Sequence, residues 1–97
     1  MELSLAKCAL LMEVVESGSF SAAAKQHGIT QSAVSHSVAG LEEELGFAVI
    51  RRGKGGVRLT DEGERLLPAI RELLNSAERI EQTASSIRGL ETGTVRI

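Results

Sequence analysis

Gln31, Ser32, Ser35 and His36 bring four hydrogen-bonding side chains into six residues, with no nucleophile–base pair among them. A glutamine amide matches the N6/N7 edge of adenine, a serine hydroxyl can meet a base or a phosphate, and an imidazole can meet a guanine acceptor or a phosphate. These residues lie in the stretch GITQSAVSHSV, where Val34 and Val38 are one helical turn apart. With Val34, Val38 and Leu41 facing inward, positions 31, 32, 35 and 36 project from the first half of one helix. The chemistry on offer is recognition of hydrogen-bonding edges. The ordinary alternative is a solvated helix face.

The bulk composition sets the frame for that surface. Ninety-seven residues, 42% hydrophobic and 25% charged, make one small globular domain. Phe20 and Phe47 are the whole aromatic content, so the core must come from Leu, Ile, Val and Ala, which suits helices. Cys8 has no second cysteine for a disulfide or a structural zinc pattern, and on an apolar helix face it reads as a core thiol rather than a sensor. The opening residues resemble neither a signal peptide nor a membrane span, so a reducing cytoplasm is the expected compartment. No metal and no cofactor is expected for these residues.

A formal net charge of −2 argues against a polyanionic partner only if charge is spread evenly. It is not. Residues 46–60 contain Arg51, Arg52, Lys54 and Arg58 and no acid. Placement of charge governs electrostatic binding more than its sum.

Four helices and a hairpin must position these groups. Leu5, Cys8, Leu11, Met12 and Val15 predict an amphipathic helix over 3–16, ended by Gly18. Ser19 or Ser21 caps a short second helix through His27, which complements the dipole at its end, and Gly28 stops it. Thr30 caps a third helix to residue 45, with Val34, Val38, Leu41 and Leu45 inward and Glu42, Glu43 and Glu44 on a solvated face. The outward N–H groups above Thr30 can also meet phosphate. A strand over 48–51, a basic glycine tip at 53–56 and a strand over 57–59 predict a hairpin. Thr60 caps a long helix over 61–88, with Asp61 and Glu62 at its positive end and Pro68 inside it at the cost of a hydrogen bond.

That last helix carries a seam. Leu66, Leu73, Ile80 and Ile87 recur every seven residues, with Ile70, Ala77 and Ala84 between them, and Arg71, Glu72, Glu78 and Arg79 supply both charge signs. Such a repeat predicts a homodimer interface. Packing on the chain's own core accounts for Leu66, Leu67 and Ile70 but poorly for Ile80 and Ile87. The segmentation that follows is 1–60, a winged helix-turn-helix; 61–88, a linker and dimerisation helix; and 89–97, whose Val95/Ile97 alternation reads as the start of a further domain.

The second and third helices make a helix-turn-helix: small Ala24 at the crossing, Gly28 in the turn, and Val34 and Val38 beneath the second helix. The hairpin beside it is a wing, with Arg51, Arg52, Lys54 and Arg58 toward the DNA backbone or minor groove. The stretch SGSFSAAAKQHGITQSAVSHSVAGLEEELGFAVIRRGKGGVRLTDEGERLLP, residues 17–68, resembles the N-terminal DNA-binding domain of LysR-type transcriptional regulators. The resemblance implies a mainly α fold: three helices plus a two-stranded wing, then a long dimerisation linker helix. It also implies a bacterial, nucleoid-associated regulator that binds double-stranded DNA at an interrupted palindrome. Such a protein acts as a homodimer or, at full length, a tetramer, with any small-molecule effector bound by a C-terminal domain that starts near GTVRI. Gln31 matches the family's base-contacting glutamine, Ser35 its serine and Arg52 its wing arginine. Ser32 stands where many members have proline, and His36 where arginine is frequent, leaving base or phosphate open for His36. Val49-Ile50 replaces a frequent Leu-Phe pair, a change expected to act on packing.

Two other classes compete. An enzyme lacks support, since no GxxxxGK[ST] loop and no catalytic pair is present. A winged domain serving only as a protein-interaction platform is the stronger rival, and the basic wing speaks against it.

Overall fold

The computed structural model describes residues 1–91, the side chains of Leu90 and Glu91 excepted. Hydroxyl caps set the helix starts. Ser4 accepts from the Lys7 amide at 3.2 Å and opens α1 (Leu5–Ser17). Ser19, rather than Ser21, accepts from the Ala22 amide at 3.0 Å and opens α2 (Phe20–His27). Thr30 accepts from the Ala33 amide at 3.0 Å and opens α3 (Gln31–Leu45). Each cap satisfies an amide that the first helical turn leaves without a partner. Gly28, at φ +66°, takes the left-handed conformation that the turn between α2 and α3 requires.

Strands β1 (Ile50–Gly53) and β2 (Gly56–Leu59) pair antiparallel, with Arg51 opposite Arg58, Arg52 opposite Val57, and Gly53 opposite Gly56. The first strand therefore starts two residues later than the pattern of residues 48–51 predicts. Ala48 and Val49 are held by other partners. The Thr60 hydroxyl donates to the Ala48 carbonyl at 2.6 Å, and the Thr60 amide donates to the Val49 carbonyl at 2.9 Å. Lys54 and Gly55 form the turn, so the tip is shorter than expected, with Gly53 and Gly56 paired inside the ladder.

Helix α4 (Asp61–Glu91) runs through Pro68 without ending and extends three residues beyond the expected 88. Thirty-one residues at 1.5 Å each span about 46 Å, most of the molecule's 54 Å length. Its N-terminal part is integral to the domain. Leu67 and Ile70 join the same core as Cys8, Leu11, Val14, Phe20, Val34, Leu41 and Val49. Farther along, Ile80 is 68% exposed and Ile87 51% exposed. The seven-residue seam thus divides: Ile70 is 5% exposed and belongs to the chain's own core, Leu66 and Leu73 are half-buried against it, and farther on Ile80 and Ile87 are exposed while Ala77 and Ala84 are half-buried. Arg71 lays its guanidinium 3.8 Å from the Met12 sulfur on α1. The strand start expected at Val95 and Ile97 lies outside the described residues.

Gly63 is the point of closest approach. A Cβ built there would lie 2.1 Å from the Val49 carbonyl oxygen, so only glycine lets the first turn of α4 meet the segment before β1. The Gly63 amide donates to the Thr60 hydroxyl at 2.9 Å, which closes the junction from the helix side.

Candidate nucleic-acid interface

The small side chains of Ala23 and Ala24 on α2 are buried in the same core as the inner face of α3. Val34, Val38 and Leu41 fill the inner face of α3, and this fixes which residues look outward. Gln31, Ser32 and His36 are exposed and Ser35 is half-buried; together with Arg52 they line one shallow depression on the surface. The sequence-predicted base-facing set is therefore brought together, and one wing residue joins it.

Strand alternation separates the wing cations. Ile50 and Arg52 share one face of β1; Ile50 is buried, and Arg52 turns toward the helices. The Arg52 guanidinium stacks 3.7 Å from the centroid of Phe20, the first residue of α2, and its Nη2 donates to the Ser35 hydroxyl. Arg51 points the other way and faces Arg58 across the ladder. Two like charges directly opposed on a strand pair repel each other, so that face concentrates positive charge. Lys54 is exposed at the turn. The four cations expected to act alike thus fall into an inward arginine and an outward trio.

Thr30 is exposed, and its cap leaves the first amides of α3 facing the same side as Gln31. One expectation for the far end of α3 is corrected. Glu42 is not a solvated acid: its Oε2 accepts from the Val49 amide at 2.6 Å and the Ile50 amide at 3.1 Å. It pins the entry to the wing onto α3. Glu44 approaches Lys7 of α1 at 3.9 Å, leaving Glu43 as the fully solvated member.

Phe20, Glu42 and Gly63 are the site-supporting residues that sequence reasoning passed over. Only Gly63 left a local trace, as a glycine two residues into a well-capped helix, where glycine is otherwise costly. Cys8 is fully buried, and burial, followed by the negative charge of Glu44, pushes its thiol pKa up. Among the described residues no group of three or more His, Cys, Asp or Glu could hold a metal ion, and no helix is long and apolar enough to cross a membrane.

Residues 5–64 match the family described as bacterial regulatory helix-turn-helix protein, lysR family. An uncharacterized HTH-type transcriptional regulator, YvbU, of Bacillus subtilis (strain 168) is 38% identical over 96 residues, covering 98% of this chain and 33% of the relative. The probable HTH-type transcriptional regulator LrrA of Synechococcus elongatus is 40% identical over 95 residues, covering 98% of this chain and 32% of the relative. The chain thus spans about a third of the length of these relatives. Among solved structures, the complex of the BenM DBD with catB site 1 DNA is similar with a TM-score of 0.82 and 30% identity, over 89% of this chain and 97% of that one. CbnR, a LysR family transcriptional regulator, is similar with a TM-score of 0.79 and 26% identity, over 87% of this chain and 29% of that one.

Proposed function

The chain belongs to the LysR family of bacterial regulatory helix-turn-helix proteins, and from that premise we propose that it binds duplex DNA sequence-specifically and regulates transcription. The first half of α3 enters the major groove, with Gln31, Ser32, Ser35 and His36 toward base edges. Thr30, Lys54, Arg51 and Arg58 grip the sugar-phosphate backbone, and Arg52 works beside them at the wing. The carrying observation is the convergence of Gln31, Ser32, Ser35, His36 and Arg52 on one exposed face with no catalytic group among them. The solved likeness to a domain in complex with DNA supports the same reading.

Two copies pair through the free part of α4, around Ala77, Ile80, Ala84 and Ile87, with Leu66 and Leu73 at the near edge. What supports this is an isoleucine pair standing in solvent on a helix that already has its own core contacts. A two-fold dimer reads two half-sites, so the operator is an interrupted palindrome. No cofactor enters this reading, and a small-molecule effector is assigned to a C-terminal domain outside residues 1–97. Nucleoid association follows from DNA binding in a bacterial cell.

The test is retardation of random-sequence and selected duplexes at rising salt. The expected result is steep loss of affinity with salt and enrichment of a two-fold symmetric site. A folded dimer that retards no duplex at low salt would sink the proposal and favour the interaction-platform reading.

A further inference from the structure

Among the base-facing candidates, Ser35 alone has its hydroxyl engaged by a cation of the same chain. Arg52 Nη2 donates to Ser35 Oγ, while the guanidinium rests 3.7 Å from the Phe20 ring centroid. A serine hydroxyl left to itself is ambivalent, able to give or take a hydrogen bond. A guanidinium has five N–H donors and no acceptor. The Arg52–Ser35 bond therefore has one polarity: arginine gives, serine takes. The hydroxyl proton must point elsewhere, and the described residues show no carbonyl taking it. The adjoining positive charge makes that hydroxyl a stronger donor and a weaker acceptor.

We propose that Arg52 is a specificity-positioning residue, which polarises Ser35 so that it presents a hydrogen-bond donor to the major groove. The base it meets must then offer an acceptor: guanine O6 or N7, adenine N7, or thymine O4. Cytosine offers only its N4 amino donor on that edge and is selected against. This inference rests on the DNA-reading function above and adds to it a named base discrimination and the residue that causes it.

The geometry explains why an arginine from the wing can do this. Phe20 stacks the guanidinium plane and Ser35 receives one tine of its fork, so the side chain bridges α2 and α3 from β1. Lysine keeps the charge but has neither plane nor fork. Charge and polarisation can therefore be separated by a single substitution.

The experiment is selection from a random duplex pool with the wild-type chain, Ser35→Ala, Arg52→Lys and the double variant, together with salt titrations on the selected site. The wild type is expected to show one position per half-site depleted in cytosine by about two- to tenfold, the range one hydrogen bond supports. Ser35→Ala and Arg52→Lys should each flatten that same position. The double variant should flatten it no further, and Arg52→Lys should keep the wild-type salt slope. If Arg52→Lys leaves every position intact and only lowers affinity across the pool, Arg52 is a backbone grip and the inference is overturned. Uniform weakening by Ser35→Ala means that Ser35 meets phosphate, and a preference for cytosine at the affected position means that the polarity is wrong; either overturns it. A wild-type chain that enriches no sequence overturns the parent function itself, an outcome distinct from the others.

Discussion

The guanidinium of Arg52 lies 3.7 Å from the centroid of the Phe20 ring, so the wing is tied to the first residue of α2 through a stacked cation. Flexible arginines lose rotamer freedom when they bind, and one already held between a ring and a hydroxyl loses less. The wing therefore meets its target partly ordered.

Phe20→Leu tests that ordering. Leucine keeps most of the apolar burial, so the fold should lose less than about 1.5 kcal/mol. The lost cation–π contact, about 0.5–1 kcal/mol at an exposed site, should appear as a two- to fivefold weaker affinity with an unchanged salt slope. Titration of one selected duplex by fluorescence anisotropy, beside a thermal melt, separates the two effects.

Base reading and backbone grip should separate between Gln31 and the outward arginines. Gln31→Ala is expected to relax one position per half-site by about 1–3 kcal/mol. Arg51→Ala and Arg58→Ala should weaken all sequences alike and reduce the salt slope by about one each. Because Arg51 and Arg58 oppose each other, neither loss should lower the free protein's melting temperature. Identical profiles from Gln31→Ala and Arg58→Ala would show that α3 and the outer wing face do not divide the work.

Gly63→Ala should be strongly damaging for so small a substitution. Its methyl group would meet the Val49 carbonyl at 2.1 Å, and overpacking against backbone costs about 3 kcal/mol. For a domain this size that lowers the melting temperature by roughly 12–24 °C. A melt within a few degrees of wild type would mean that the α4–β1 junction yields far more easily than its geometry implies.

Ile80→Asp and Ile70→Asp should fail in different ways. Ile80 stands in solvent, so its substitution is expected to leave a folded monomer by sedimentation equilibrium and circular dichroism. Ile70 is in the core, and a buried carboxylate there should unfold the domain. Retention of the dimer by Ile80→Asp would return α4 to the role of a simple strut.

Cys8 gives the pH prediction. Burial, and secondarily Glu44, raise its pKa in the folded state, so folding favours the neutral thiol. That contribution is fully present below the ordinary thiol range and is lost as pH rises through it. Denaturant midpoints should therefore fall as pH rises above about 8, and less so in Cys8→Ala. Iodoacetamide should label the native protein far more slowly than the unfolded chain.

What could be read from sequence was local. Thr30 as a cap, Gly28 as a turn and Val34/Val38 as an inner face each depend on a few neighbouring residues, and each stands where the pattern put it. What escaped depends on contacts between distant segments. Glu42 serves amides seven and eight residues away, Arg52 reaches back seventeen residues to Ser35, and Gly63 touches Val49. Charge pattern alone makes Glu42, Glu43 and Glu44 equivalent, and Arg51 and Arg52 likewise. Only strand alternation and the positions of unpaired amides distinguish them. The two-residue error in β1 has the same origin, because Ala48 and Val49 bond to Thr60 rather than to β2.

The bond from Glu42 to the wing divides α3 along its length. Its second half is committed to architecture through Leu41 and Glu42, while Gln31, Ser32 and His36 in the first half stay exposed. Under the proposed reading, mutational drift at those three positions would change which operators are bound without eroding the scaffold, so relatives would diverge in target while keeping one body. Ser35 is the exception: it is bonded to Arg52, so under the proposed polarity a graft of recognition residues that ignores the wing would carry over an incomplete alphabet.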